Sequence, residues 1–381
     1  MPHPLYRGAA IAGVDESDQI GNVPNKTSLQ LHAEAAMNAL ADAGIDKSEV
    51  DGVATAGVSP MQTAEYLGIV PRYTDGTSVG GSSFVIHVGH ALEAISDGRA
   101  SVVLITHGEG HMGGGRRGPG GPDPSNLAGQ YEAPFGVLGP PYAYSLAAMR
   151  HMALYGTTKE QLAQIAVQTR QWASMNPKAL MRDPITVEDV FNSRLISYPF
   201  NLLDCCLVTD AGGACVVVSP ERARSIKKKP VWVLGIGEAH DHSMISQMPD
   251  LTRTAAQYSG PAAMGMAGVT HGEIDLAMIY DSFTYTVLVT LESLGFCKQG
   301  EGGAFVSNGR LGPGGALPTN TNGGGLSYTH SGMYGMFLLL EATRQLRSEC
   351  GQRQVPDCRI ALVNGTGGSL SSTGTLVLAA D

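Results

Sequence analysis

One pattern is written twice in this chain. Residues 44–57 read GIDKSEVDGVATAG and residues 268–281 read GVTHGEIDLAMIYD. Each runs glycine, β-branched residue, short polar stretch, Glu, β-branched residue, Asp, and then an apolar strand-like run. The two copies lie 224 residues apart. Upstream, IAGV (11–14) matches VLGI (233–236). Downstream, Leu92, Glu93 and Ala94 match Leu340, Glu341 and Ala342 inside helix-like segments. Apolar strands follow each, SVVLIT (101–106) and IALVN (360–364), and each half closes on another, ACVVVS (214–219) and TLVLA (375–379). Recurrence in one order points to duplication. The chain of 381 residues is long enough for it.

Each half therefore reads as a βαβαβαββ unit. Thr27 and Gln30 form a capping-box pattern before an Ala-rich helix, and Gly44 is a stop. The runs after Asp51 and Asp275 fit buried strands. Strands alternating with helices predict an α/β protein with a mixed sheet covered on both faces. Two such units predict a five-layer α/β/α/β/α core, divided into residues 1–226 and 227–381. An insertion at about 107–205 has no counterpart in the second half. It opens with the loop-like GEGHMGGGRRGPGGPDPSN. A helix then starts with Thr157 and Glu160 as capping box and carries Leu162, Ile165, Thr169 and Trp172 on one face; another helix starts at Thr186. Such an insertion suits a substrate lid or wall.

Composition removes several classes of function. The net charge of −9 argues against nucleic acid as the main partner. No run of eighteen apolar residues exists to span a bilayer, and the N-terminus lacks a basic segment followed by an apolar one. A cytoplasmic protein is expected. The six cysteines (205, 206, 215, 297, 350 and 358) show no CxxC spacing, so neither structural zinc nor a disulfide framework is expected. GIGEA (235–239) lacks the third glycine of a dinucleotide-binding loop. Glycine stands at about 13% against roughly 7% in an average protein, and it clusters, which means tight turns and close backbone approaches.

Four stretches carry a family likeness: YGTTKEQLAQIAVQTRQWASMNPKA, LLDCCLVTDAGGACVVVSPERA, YDSFTYTVLVTLESLGFC and NGGGLSYTHSGMYG. With them the chain resembles the thiolase superfamily over nearly its whole length. It is most similar to the branch of sterol-carrier-protein-x thiolases and bacterial lipid-transfer-type proteins. The resemblance implies a homodimer without a metal or permanently bound cofactor, acting on the bond beta to a coenzyme A thioester. The family histidine falls on His330, and the Gly-rich C-terminal turn is NGTGGS (364–369), without cysteine. Where the family keeps its nucleophilic Cys, this chain has Gly80 or Gly81 in TSVGGSSFVIHVGHALEAI (77–95), and no cysteine precedes residue 205. The family's NEAF-like motif becomes Tyr280, Asp281, Ser282 and Phe283.

Stabilising a thioester enolate needs hydrogen-bond donors and a general acid/base, not a thiol. His330, read as lying at a helix N-terminus, could donate to the thioester oxygen, with Tyr280, Tyr328 and Tyr334 supplying phenols. Asp281 could orient a tyrosine or cap a turn. Gly81, Ser82, Ser83, Gly367 and Gly368 are the expected pocket or oxyanion residues, and Arg116 and Arg117 the expected contacts to CoA phosphates. Cysteine-less members of the resembled family are retro-aldolases on steroid β-hydroxyacyl-CoA side chains, working with a small OB-fold, zinc-ribbon partner. A retro-aldol lyase is thus the leading expectation. An acyltransferase using Ser82 as a displaced nucleophile is the first alternative. A non-catalytic thiolase-fold subunit or lipid carrier is the second.

Overall fold

The computed structural model describes residues 3–110 and 123–380. Arg116 and Arg117 lie outside these described residues. Strand β1 (Ala10–Glu16) leads to α1 (Ser28–Ala43), β2 (Gly52–Thr55), α2 (Pro60–Leu67), β3 (Tyr73–Asp75), α3 (Ser83–Ser96) and β4 (Val102–Glu109). The insertion supplies α4 (Leu127–Tyr131), α5 (Pro140–Tyr155), α6 (Lys159–Ser174), α7 (Val187–Asn192) and the short strands β5 (Leu195–Ser197) and β6 (Phe200–Asn201). Strand β7 (Ala211–Val218) and α8 (Pro220–Ala223) close the first half. The second runs β8 (Val231–His240), α9 (Ala256–Ala267), β9 (Leu276–Ile279), α10 (Thr284–Ser293), α11 (Gly302–Phe305), α12 (Gly335–Leu346), β10 (Ile360–Gly367) and β11 (Ser372–Ala380).

The repeated segment does the same work in both halves. A capping box closes a 3-10 turn at Lys47–Glu49 and again at His271–Glu273. The following Asp51 carboxylate accepts the N–H groups of Ser101 and Val102 at 2.9 Å. Asp275 accepts those of Arg359 and Ile360 at 2.9 Å. Each Asp thereby fixes the start of one strand against the start of its parallel neighbour, β2 with β4 and β9 with β10.

The sheet order is β3-β2-β4-β7-β1-β8-β11-β10-β9, so the second half repeats the first in mirror order. Its third strand is reduced to one parallel bridge between Ala277 and Thr319. The halves meet where Ala10 and Ile11 pair with Trp232 and Val231. Helix α3 contacts β2 and β10, which are six strands apart in that order. At about 4.8 Å per strand, no single helix spans a flat sheet that far. The sheet therefore folds around α3 and α12, which form the central layer. Their apolar faces, including Phe84, Val88, Leu92, Phe337 and Leu340, fill the space between the two sheet halves. Helix α1 covers the first half outside and α9 the second. This is the expected α/β/α/β/α arrangement. GIGEA falls within β8, where Gly235 and Gly237 let the strand press against the α9 backbone at Ala263 and Ser259.

The insertion lies within the first half in sequence but packs on the second. Trp172 donates to the Leu311 carbonyl at 2.9 Å, and Gln168 accepts the N–H of Leu311 at 2.8 Å. Leu162, Ile165, Thr169 and Trp172 are all buried, as their spacing predicts. The cap is one residue later than expected: Thr158 and Gln161 form the box. Thr157 instead bonds His151 Nδ1 at 2.9 Å, and this buried partner outcompetes the cap.

Candidate active site

The site begins with glycines. Gly323 and Gly324 have φ of 102° and 61°, and a side chain at Gly324 would run into Asp281 Oδ2. The residues after them form one π-turn, Gly324–Tyr328. Buried Asp281 holds this turn by accepting the N–H groups of Gly325 (2.7 Å) and Leu326 (3.2 Å). Burial pushes the Asp281 carboxyl up to about 8, against the pull of those two donors. The chain leaving the turn is clamped at His330, whose N–H donates to Thr209 Oγ1 at 2.9 Å. Thr209 N–H returns a bond to the His330 carbonyl at 3.2 Å.

His330 and Tyr280 meet there. Tyr280 follows the last residue of β9, and its Oη lies 3.1 Å from His330 Nε2. The Tyr334 N–H, at the start of α12, donates to the same phenol oxygen at 3.1 Å. The Gly332 N–H donates to His330 Nδ1 at 3.3 Å. With Nδ1 accepting, a neutral ring carries its proton on Nε2 and donates to Tyr280. The phenol oxygen then accepts two N–H donors, and among the described residues its own proton is directed only to the Gly332 carbonyl, at a long 3.4 Å. Burial raises the Tyr280 phenol well above its ordinary range, and the Tyr334 N–H opposes that rise.

These groups line a cavity of about 400 Å³ at the ends of β9 and β10. Gly80, Gly81, Tyr280, His330, Thr366 and Gly368 supply the polar part of its lining. Pro140, Pro141, Ile196, Leu202, Leu207 and Phe283 supply apolar walls. One relation in the lining decides much of the chemistry. A Cβ on Gly81 would fall 2.5 Å from Tyr280 Oη and closer still to the ring carbons Cε2 and Cζ. The Tyr280 phenol occupies the volume that a side chain at residue 81 would need.

The expected site residues divide. His330, Tyr280, Gly81 and Gly368 share the cavity. Tyr328 does not line it: its hydroxyl donates to Glu16 Oε1, a carboxylate already paired with Arg344 and Lys178. Tyr334 donates to Asn322 Oδ1 at 2.9 Å and stacks on His330 at 6.1 Å, so it backs the imidazole rather than facing the cavity. Asp281 orients the π-turn, not a tyrosine. Ser82 Oγ lies 2.7 Å from Ser372 Oγ, buried and off the cavity. Ser83 Oγ donates to the Gly80 carbonyl at 2.7 Å and accepts the Val79 N–H, a capping role. Gly367 lets β10 pack against Val79 and Ser82. His330 lies five residues before α12, so the helix N-terminus serves the Tyr280 oxygen and not the imidazole.

Lining residues that the sequence did not mark as part of the site include Tyr144, Cys206, Ser282 and Thr366. Tyr144 arrives on α5, inside the insertion, and donates to the Gly368 carbonyl at 3.0 Å. Cys205 and Cys206 both line the cavity; burial pushes the Cys205 thiol up to about 12 and raises that of Cys206 as well. Among the described residues, no group of three or more His, Cys, Asp or Glu is placed to hold a metal ion. No helix there is long and apolar enough to cross a membrane.

Comparison with known proteins shows the family. The family description "Thiolase C-terminal domain-like" matches residues 237–380. The "Steroid side-chain-cleaving aldolase" of Thermomonospora curvata is 35% identical, over 99% of this chain and 99% of its own. The chain belongs to the thiolase superfamily. Within that superfamily its relatives are of the sterol-carrier-protein-2-thiolase-like kind. The "17-hydroxy-3-oxo-4-pregnene-20-carboxyl-CoA lyase" of Mycobacterium tuberculosis is 33% identical over 97% of this chain and 98% of its own. An "Acetyl-CoA acetyltransferase" of Methanothermobacter thermautotrophicus is 30% identical over 95% and 97%. Among solved structures, the "Ltp2-ChsH2(DUF35) aldolase" superposes with a TM-score of 0.91 at 34% identity, covering 99% of both chains. Superfamily membership makes this chain an enzyme of the acyl-CoA lyase or acetyltransferase type.

Proposed function

We propose that the protein cleaves a β-hydroxyacyl-CoA thioester by a retro-aldol reaction, releasing a carbonyl compound and a shorter acyl-CoA. The supporting observation is the Tyr280 phenol standing in the volume of the missing residue-81 side chain, 3.1 Å from His330 Nε2. The Tyr280 oxygen takes the β-hydroxyl proton as its own proton is given up towards Cα. The Cα–Cβ bond breaks, its electrons form the thioester enolate, and the proton given up by Tyr280 ends on Cα, with the His330 Nε2–H and Tyr334 N–H holding the phenol oxygen throughout. The net proton count of the enzyme is unchanged. N–H and O–H donors aimed at the developing charge are worth most in a cavity that excludes water. Apolar walls favour a bulky apolar acyl group, and the names of the aldolase and lyase relatives support a steroid side chain.

Acyl transfer is less well supported. Ser82 is turned away from the cavity, and the two lining thiols are held protonated by burial, without the depressed pKa of a reactive cysteine. The two-protein name of the Ltp2-ChsH2(DUF35) neighbour supports a second, dissimilar chain as partner to this one.

The test is Tyr280→Phe assayed on 3-hydroxyacyl-CoAs, steroid-bearing ones included. Loss of a positioned acid/base costs about 10²–10⁴-fold in kcat. A variant that retains wild-type kcat contradicts the assignment.

A further inference from the structure

Thr366 is one of the hydroxyl-bearing residues in the cavity wall, and it differs from its neighbours. Tyr144 donates to the Gly368 carbonyl at 3.0 Å, and Ser282 Oγ lies 3.0 Å from Thr286 Oγ1. Thr366 Oγ1 has no hydrogen-bond partner among the described residues, although Thr366 is only 1% exposed. A buried hydroxyl left unbonded is costly, so native structures rarely keep one without a use.

Strand geometry places this residue. Side chains alternate across a strand. In β10, Cβ positions on Gly365 and Gly367 would fall 2.9 Å from Ser82 Cα and 2.6 Å from Ser82 Oγ, so both glycines face the turn that carries Gly81. Thr366 therefore belongs to the opposite face of β10, and it lines the same cavity as Ser282 and Tyr144. A β-hydroxyacyl thioester presents two oxygens, one on the thioester carbonyl and one on Cβ. The Tyr280–His330 pair engages one of them, and the other needs a partner elsewhere on the wall.

We propose that Thr366 is a substrate-binding residue whose hydroxyl bonds an acyl-chain oxygen of the bound CoA thioester. This rests on the acyl-CoA reading given above. Thr366→Val keeps the shape and removes the hydroxyl; Thr366→Ser keeps the hydroxyl. Binding of butyryl-CoA and of 3-hydroxybutyryl-CoA is measured by calorimetry, alongside melting temperatures. Thr366→Val weakens binding about three- to ten-fold, the value of one hydrogen bond, while Thr366→Ser stays near wild type. Weakening for both ligands assigns the thioester carbonyl; weakening for the hydroxylated ligand alone assigns the β-hydroxyl. Equal affinities in wild type and Thr366→Val overturn the Thr366 assignment, as does a change in melting temperature alone. That outcome leaves the functional reading standing. Wild type that binds both thioesters but cleaves no 3-hydroxyacyl-CoA fails the lyase reading and spares Thr366. Wild type that binds neither thioester overturns both.

Discussion

At Gly81 there is no room for a thiol. A cysteine there must displace the Tyr280 ring and break its bonds to His330 and the Tyr334 N–H. Gly81→Cys is therefore expected to lose about 1–3 kcal/mol of stability by overpacking, and to gain no thiolytic activity. Denaturant melts and a thiolysis assay check both. The tyrosines separate in the same way. Tyr328→Phe removes the hydroxyl that donates to buried Glu16 and is expected to cost about 1–3 kcal/mol while leaving kcat within two-fold. Tyr280→Phe does the reverse. Comparing the two variants by melting and by turnover tells an acid/base phenol from a structural one. The sequence made His330 and Tyr280 legible because each falls in a family motif. It did not make Tyr328 legible: a π-turn, not a regular helix or strand, decides which way its ring points, and no period predicts that. Thr366 and Tyr144 were hidden for a similar reason. One sits at a strand tip among glycines, and the other arrives on an insertion that has no repeat partner.

Elements carry the duplication. Asp51 and Asp275 make matching pairs of bonds to the next strand in each half. Asp51→Ala and Asp275→Ala are expected to destabilise by similar amounts, about 1–3 kcal/mol each, because each leaves backbone donors without their acceptor. A large inequality in denaturant melts contradicts the equivalence of the halves. This much was readable in the sequence, since the Asp recurs at a fixed place before an apolar run. The bond between the halves at His90 was not. His90 on α3 meets Asp75 of β3 at 2.7 Å and Glu238 of β8 at 3.0 Å. The hydrogen bonds to Asp75 and then Glu238 raise the His90 imidazole to about 10. A folded-state value above the unfolded one means the stabilisation is whole below about pH 6.5 and is lost as pH climbs towards 10. The advantage of wild type over His90→Gln in melting temperature therefore shrinks from pH 6.5 to pH 10. A gap that holds constant over that range contradicts the assignment.

Across the whole molecule, the cavity draws on every part of the chain. Gly80 and Gly81 come from the first half, Tyr144 and Cys206 from the inserted stretch and the residues after it, and Tyr280, His330 and Thr366 from the second half. Duplication places equivalent helices and strand ends face to face, and the absence of a side chain at Gly81 leaves the space that the second copy's phenol fills. The proposed retro-aldol reaction, which needs no covalent intermediate, rests on that arrangement. The direct measurement is the intact mass of the protein quenched while it turns over a 3-hydroxyacyl-CoA. Unmodified protein mass beside accumulating carbonyl product and shortened acyl-CoA is the predicted result. An acyl adduct that forms and decays at the rate of turnover would contradict it.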